Sequence, residues 1–159
     1  MTDPLPSIFI PGTAQTAGSK RAFVRAGRAI VTDDNPNSRA WKERVAYFAR
    51  QAWPHPPLDE PLVVSFVFTL ARPGYHFGKR AGVAYLKPNA PSWHSSRPDA
   101  LKLARGCEDA LSGVVYADDS LIAEEHLRKV YGPQPGVAIV IRRALEPTPL
   151  ELAAAMRSA

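Results

Sequence analysis

The alternation of apolar and polar positions predicts a chain of strands interrupted by two helices. Short runs rich in β-branched and aromatic residues, bounded by turn residues, indicate strands at 7–10, 22–25, 28–31, 61–69, 121–131 and 136–143. Apolar residues at helical spacing indicate one helix that begins at Asn37 or Ser38 and ends near Ala52, and a second near 98–112. The run at 61–69 is apolar on both faces of the pleat, which predicts a central strand.

Turn residues predict how the later elements begin, end and connect. Pro98 fits the first position of the second helix, and Ser112-Gly113 fits its end. The strands at 22–25 and 28–31 flank Ala26-Gly27 and are expected to form a short hairpin. The strands at 121–131 and 136–143 are expected to pair as a hairpin around residues 132–135. Thr148 and Glu151 have the spacing of a capping box, which predicts a short helical tail over about 148–159.

The longest segment without a predicted element runs from Arg72 to Ser96. It contains prolines, glycines and aromatic residues mixed with basic ones. Loops of this length are uncommon in compact domains unless they are functional or disordered. Two interpretations remain open: contacts of rings and cations with unpaired nucleobases, or an insertion that Trp93 packs against the surface.

The predicted strands and helices give an α+β fold class, and the length of 159 residues suits one domain, residues 1–159. The hydrophobic fraction of 45% and charged fraction of 22% are ordinary for a globular protein. The lone Cys107 excludes an intrachain disulfide and a cysteine-based zinc site, and its apolar stripe predicts burial. Without a bilayer-spanning run or a signal segment, we expect a cytoplasmic protein that does not contact membranes.

The charge pattern combines basic pairs with clustered acids. A net charge of +5 and pairs such as Lys79-Arg80 favour a polyanionic partner only modestly by themselves. Asp99 precedes most of the second helix, and Asp118 and Asp119 follow it. If packing of the helix brings these carboxylates together, they could hold a hard divalent cation. A structural interpretation also stands, because such acids suit a helix N-terminus and a turn. Together, cations for phosphates and carboxylates for a metal point to a nuclease.

The stretch from Arg97 to Ser120 carries a family resemblance. The motif residues are Arg97-Pro98-Asp99, Leu103, Arg105, Asp109-Ala110-Leu111, Gly113-Val114-Val115-Tyr116 and Asp118-Asp119-Ser120. Pro11-Gly12, Gly18-Ser19-Lys20-Arg21 and Trp41 extend the pattern toward the N-terminus. On these residues the chain resembles the RusA-type Holliday junction resolvases, endodeoxyribonucleases common in phages and prophages, and the resemblance covers most of the chain.

The resemblance implies a fold in which helices pack against a mixed β-sheet. It also implies a homodimer that binds four-way or related branched DNA and nicks two strands symmetrically, in DNA recombination and repair. It implies Mg²⁺ as the cofactor, with Mn²⁺ as an alternative, in the cytoplasm of a bacterial or phage-infected cell. The implied catalytic residues are Asp99, Asp119 and Arg105. The implied metal ligands are Asp99, Asp118, Asp119 and Glu124. The implied contacts with the DNA backbone are Lys20, Arg21, Lys102 and Lys129.

One departure from the family pattern concerns the metal site. The family usually has a second aspartate two residues after the first, and this chain has Leu101 there. Glu124 or Glu125 could supply the missing carboxylate, and only one of them can face the site because strand residues alternate. Two other hypotheses follow: a junction-binding protein of the same fold with weakened or lost cleavage, and a basic interaction module unrelated to DNA.

Overall fold

The computed structural model describes residues 5, 7–18, 20–33, 35–149 and 151, with backbone alone at 20, 21, 23 and 31–33. Among these residues the elements, in chain order, are β1 (Ser7–Pro11), β2 (Lys20–Arg25), β3 (Arg28–Asp33), α1 (Ser38–Ala52), β4 (Leu62–Ala71), β5 (Phe77–Arg80), β6 (Val83–Leu86), α2 (Ala100–Leu111), β7 (Ile122–Gly132) and β8 (Gly136–Arg143). The predicted hairpin of β2 and β3 and the predicted extent of α1 are confirmed.

A four-stranded mixed sheet organises the domain. Its strand order is β1-β8-β4-β7, with β4 parallel to β7 and antiparallel to β8. Alternate residues of β4 are fully buried under the helices: Leu62, Val64, Phe66 and Phe68. The helix α1 contacts β1 and α2, and α2 contacts β7. The predicted α+β architecture, with β4 as a central strand, is therefore confirmed.

The predicted β7–β8 hairpin is wrong. These strands are consecutive in the chain, but β4 lies between them and pairs with both. Residues 133–135 cross the end of β4, a distance of roughly 10 Å for two strand spacings. Gly132 allows this crossing, since a Cβ there would lie 2.5 Å from Cγ2 of Thr69. The buried residues of β4 lie at the centre of the core, so β4 takes the middle position and pairs with both strands in place of a local β7–β8 hairpin.

The segment from Arg72 to Ser96 is more ordered than the sequence predicts. It forms a 3₁₀ turn at Gly74–His76 and a hairpin of β5 and β6, whose turn residues Ala81 and Gly82 both have positive φ. Residues 92–94 then run along β7, where Tyr131 N–H donates to the carbonyl of Ser92 at 2.8 Å. We call residues 72–96 the arm; it covers part of the free edge of β7.

The ends of the later helices refine the predicted boundaries. The helix α2 begins at Ala100 rather than Pro98, with Asp99 in the capping position but without a side-chain capping bond. Gly113 has a φ of 73°, as the predicted helix end requires. The predicted capping box is confirmed: Thr148 N–H donates to Glu151 Oε2 at 2.7 Å. The rest of the predicted tail, residues 152–159, lies outside the described residues.

The core lies between the sheet and the two helices. Its helical side chains include Val45 and Ala49 from α1 and Leu103, Cys107 and Leu111 from α2, all fully buried. The predicted burial of Cys107 is confirmed, and burial raises the pKa of its thiol to about 12. In the part of the chain that the structure describes, no helix has both the length and the apolar character needed to cross a bilayer.

We expect Gly106→Ala to destabilise the protein, although alanine favours helices by about 1 kcal/mol over glycine. Ala17 N–H donates to the carbonyl of Lys102 at 2.9 Å, so the 13–18 loop packs directly on α2. A Cβ at 106 would lie 2.9 Å from the carbonyl oxygen of Gln15, which is backbone. Urea unfolding should show a loss of about 1–3 kcal/mol.

The matched control is Gly74→Ala, because a Cβ at that position meets nothing within 4 Å. This variant should unfold within about 0.5 kcal/mol of the natural protein. A Gly106→Ala protein as stable as the control would contradict the close packing of the loop on α2.

Candidate functional site

The N-terminal end of α2 forms an open cleft that contains Asp99. The cleft is lined by Thr16, Arg97, Pro98, Asp99 and Lys102, so one carboxylate faces cationic side chains. Asp99 is exposed, and its carboxylate makes no capping bond to the helix. The structure therefore brings the predicted residues Asp99 and Lys102 together, in a cleft suited to a phosphate with its counter-charges.

Lys129 holds the segment that leads into this cleft. Its Nζ donates to the carbonyl oxygens of Ser96 and Pro98, each at 2.6 Å. The side chain of Lys129 thus reaches from β7 to the residue before Asp99. Its predicted role as a DNA contact stays a prediction, and the structure adds a positioning role for the same ammonium group.

A second cluster of carboxylates lies toward the C-terminal end of α2. We define the acidic hollow by Glu108, Asp119, Glu124 and Glu125, with Ile122 and Ala123 completing its lining. Glu108 comes from α2, Asp119 from the 3₁₀ turn Asp119–Leu121, and the two other glutamates from β7. Three separate elements therefore contribute acids to one small volume.

The carboxylates of the acidic hollow repel one another, because no lysine or arginine of the described residues lies among them. Burial raises the pKa of Glu108 to about 8, aided by its hydrogen bond with the Glu125 carboxyl group and by the charges of Glu125, Asp119 and Asp109. Oε1 of Glu125 is buried without a hydrogen-bond partner. Among the described residues, no cationic side chain forms an ion pair with Glu108, Asp119 or Glu125.

The predicted ligands Asp118 and Glu124 have partners of their own. Hydrogen bonds from the side chain of Ser120 and from its backbone N–H, the latter at 3.0 Å, lower the pKa of the Asp118 carboxyl group and fix the turn before β7. Glu124 is exposed and lies 2.8 Å from Nε2 of His126. Of the predicted ligands, Asp119 and Glu124 therefore share the hollow, and Asp118 shapes the turn.

The helix separates Asp99 from the acidic hollow. Asp99 and Glu108 are nine residues apart, which corresponds to about 13 Å along a helix axis. Within the described residues, no three His, Cys, Asp or Glu side chains are already arranged around a point where a metal ion could bind. The role of Asp99 as a metal ligand stays a prediction, since the hollow and the Asp99 cleft occupy opposite ends of α2.

The remaining predicted residues are basic. Arg105 is exposed on α2, and no hydrogen bond or ion pair joins it to another described residue. It precedes Glu108 by three residues, so the two are neighbours on the helix surface. The side chains of Lys20 and Arg21 lie outside the described part of the chain, and their predicted DNA contacts stay predictions.

The arm adds a ring-lined pocket beside β7. The rings of His76 and Tyr131 meet edge to face with centroids 4.7 Å apart, and Tyr75 packs on His76 in the same way. Trp93 bridges to Val130 through the backbone, yet its side chain is 61% exposed. The arm therefore packs on β7 through its backbone and the ring of His76 rather than through Trp93, and its contact with nucleobases stays a prediction.

Sequence reasoning missed Glu108 and left Glu125 as one of two alternatives. Glu108 lies at the boundary between the buried and exposed faces of α2, next to Asp109, which pairs with Lys42 at 2.7 Å. The available signal was spacing, because Glu108 follows Leu101 by seven residues and so falls on the same side of a helix. Its nearness to Glu125 depends on tertiary packing.

Comparison with known proteins gives two matches. The family described as "Endodeoxyribonuclease RusA" matches residues 11–142, a span that includes β4, β7, nearly all of β8, both helices, the Asp99 cleft and the acidic hollow. A protein of Bacillus subtilis (strain 168), described as "Uncharacterized protein YqaN", is 27% identical over 138 residues. That alignment covers 82% of this chain and 91% of the Bacillus protein, so the similarity extends over most of both.

The raised pKa of Glu108 predicts a pH-dependent stability in the presence of EDTA. The unfolded chain ionises this carboxyl group near pH 4.5, whereas the folded protein keeps the proton until about pH 8. Between these values the unfolded state binds fewer protons, so the free energy of unfolding falls as the pH rises and levels off above about 8. In Glu108→Gln this decline should be smaller, as measured by urea unfolding from pH 4 to 9.

The control for the pH series is Glu43→Gln, which removes an exposed carboxylate that pairs with Arg39 on α1. It should keep the pH slope of the natural protein. Equal slopes for the natural protein and Glu108→Gln would show that Glu108 is ionised normally.

Lys129→Met should destabilise the protein by about 1.5–3 kcal/mol, the usual contribution of hydrogen bonds that involve a charged group. The substitution keeps the length of the side chain but removes the donor to Ser96 and Pro98. Lys102→Met, at an exposed lysine, serves as the control and should stay within about 0.5 kcal/mol. Indistinguishable urea midpoints for the two variants would argue against the positioning role of Lys129.

Proposed function

The chain belongs to the RusA endodeoxyribonuclease family, and we propose that it is an Mg²⁺-dependent endonuclease that resolves Holliday junctions and related branched DNA. It hydrolyses one phosphodiester in each of two strands. The observation that carries this proposal is the acidic hollow, whose Glu108 lies three residues along α2 from the exposed Arg105. Carboxylates that bind a metal, next to a cation that binds phosphate, are what hydrolysis of a phosphodiester requires.

The donors of the acidic hollow suit magnesium. They are all oxygens, and Mg²⁺ in proteins is commonly held by one or two carboxylates while waters and phosphate oxygens complete its shell. The buried, unpartnered Oε1 of Glu125 supports this fit, because such an oxygen needs a positive partner. Asp119 is the proposed central ligand, and Glu124 at the rim is a further candidate. When bound, the ion would activate a water and neutralise charge on the scissile phosphate.

The residues of the chain supply the rest of the chemistry. Arg105 places a fixed positive charge where negative charge develops on the phosphate oxygens, one helical turn from Glu108. Lys102 lies one turn further along α2, so it contacts the flanking backbone. Asp99 accepts hydrogen bonds or a second cation at the far end of the helix. A duplex lying along α2 would meet these groups in succession.

A homodimer explains paired cleavage. Two symmetric nicks need two equivalent sites, and a two-fold dimer provides them with the same two-fold relation as a four-way junction. Each protomer contributes one acidic hollow and one Asp99 cleft in this proposal.

A second candidate is a protein of the same fold that binds junctions but cuts them weakly or not at all. The observation that favours it is Leu101, an apolar side chain that is 66% exposed where the family usually has an acid. The loss of a ligand weakens metal binding, whereas contacts with the DNA backbone through basic residues are unaffected. A generic basic module remains a third outcome of the same experiment.

A synthetic four-way junction with labelled strands tests these functions directly. With Mg²⁺, the natural protein should nick two opposed strands, and EDTA should abolish the nicks. Asp119→Asn should reduce the cleavage rate by at least about tenfold, because it removes a proposed ligand of the metal. Substitution of a residue that only supports a metal ligand already costs about 10–100-fold in metal affinity or activity. Asp109→Asn is the matched control, because Asp109 pairs with Lys42 outside the hollow.

The other results separate the candidates. Tight junction binding without metal-dependent nicking would replace the enzyme with the non-cleaving candidate. Equal affinity for the junction, a linear duplex and heparin would leave only a generic basic module.

A further inference from the structure

The exposed apolar Leu101 and the half-buried Glu108 lie on one stripe of α2. They are seven residues apart, so their side chains point within about 20° of each other, two turns or about 10 Å apart along the axis. A carboxylate at 108 therefore projects on the same side of the helix as a carboxylate at 101 would. It differs in lying nearer the turn that carries Asp119.

The backbone at Glu108 is fixed from two directions. Ser112 Oγ and Tyr116 OH both donate to the carbonyl oxygen of Glu108, at 3.1 and 3.3 Å. Tyr116 is fully buried, so the last turn of α2 is anchored in the core. This anchoring holds the side chain of Glu108 beside Asp119 and Glu125, and it does not depend on any contact between the acids themselves.

Two observations support a cation in the acidic hollow. Oε1 of Glu125 is buried and has no hydrogen-bond donor, a situation that costs about 1–3 kcal/mol unless a partner is supplied. The chain carries 20 lysines and arginines against 15 acids. Yet within the described residues none of those cations pairs with Glu108, Asp119 or Glu125.

The strand β7 presents its two glutamates differently. Consecutive strand residues point to opposite faces, so Glu124 and Glu125 cannot both face the helix. Glu124 is exposed and pairs with His126, whereas Glu125 is hydrogen-bonded to Glu108 and partly buried. Between the two alternatives that the sequence leaves open, the geometry favours Glu125 as the strand residue that acts with α2.

We propose that Glu108, acting with Asp119 and Glu125, supplies the metal-ligand carboxylate that this chain lacks at position 101. The inference rests on the proposed function and names the ligand set of that site. The ion is a hard divalent cation, because all the donors are carboxylate oxygens. Binding would replace the Glu108–Glu125 hydrogen bond by coordination and release its proton to solvent.

Isothermal titration calorimetry of the full chain with Mn²⁺ alone, in the absence of DNA, tests the proposal without measuring cleavage. Glu108→Gln should weaken the Mn²⁺ affinity by at least about tenfold. Even substitution of a residue that only supports a metal ligand typically lowers the metal affinity by about 10–100-fold. Glu125→Gln carries the same expectation, which keeps the test valid if either variant folds poorly. Asp109→Asn, one residue along the helix, should bind Mn²⁺ like the natural protein.

Leu101→Asp supplies the complementary variant. Because Glu108 already provides the carboxylate, adding an acid at 101 should change the Mn²⁺ affinity by less than about tenfold. The proposal is overturned if Leu101→Asp strengthens binding beyond that while Glu108→Gln and Glu125→Gln have no effect. It is also overturned if the natural protein binds no Mn²⁺.

Junction cleavage distinguishes this failure from failure of the proposed function. A Glu108→Gln protein with natural Mn²⁺ affinity and natural Mg²⁺-dependent nicking would refute the ligand assignment and leave the nuclease intact. A natural protein that binds Mn²⁺ through Glu108 but never cuts a junction would keep the ligand assignment and refute the nuclease.

Discussion

The packing of α2 along β7 is the interaction on which the candidate site depends. It joins the two elements at both ends: the ammonium group of Lys129 holds the carbonyl of Pro98 at one end, and the carboxyl groups of Glu108 and Glu125 meet at the other. Between these contacts the buried face of α2, centred on Leu103 and Cys107, seals the core. A shift of the helix by one turn would separate every group of the site from its neighbour.

The clustered carboxylates lower the stability of the folded chain, although the same carboxylates suit the proposed binding of a cation. Carboxylates that meet in a half-buried hollow without a counter-ion destabilise the folded chain, and the raised pKa of Glu108 reports that cost. The close contact of the 13–18 loop with Gly106 and the anchoring of Tyr116 in the core offset it. Functional sites commonly contain such strain, and carboxylates that repel one another would be stabilised by a divalent cation.

The sequence predicts the local parts of this fold well and the non-local parts less well. The periodicity of apolar positions and the turn residues identify the β2–β3 hairpin, α1, the central strand and the capping box of Thr148. Each of these elements depends on residues that are neighbours in the chain. The position of β4 between β7 and β8 depends on a pairing across some 60 residues, so a pattern that suits a hairpin is misleading. The start of α2 and the order within the arm likewise depend on contacts with β7.

The same distinction applies to the site. Family resemblance points to Asp99, Asp119 and Arg105, which lie on or beside α2. Glu108 was overlooked because a helical pattern identifies which face is exposed but not which strand covers it, and Lys129 gained its positioning role only through the fold. The seven-residue spacing along α2 could have suggested Glu108 as the counterpart of Leu101. Only the folded structure, however, places Glu108 against Glu125, and this contact is what makes Glu108 a candidate ligand.

The central claim is that the carboxylates at the C-terminal end of α2, rather than a cluster around Asp99, hold the catalytic metal. A crystal structure of the protein grown with Mn²⁺, with the ion located by its anomalous scattering, measures this directly. The account predicts an anomalous peak bound to carboxylate oxygens of Glu108, Asp119 and Glu125. A peak at Asp99 with no density in the acidic hollow would contradict it.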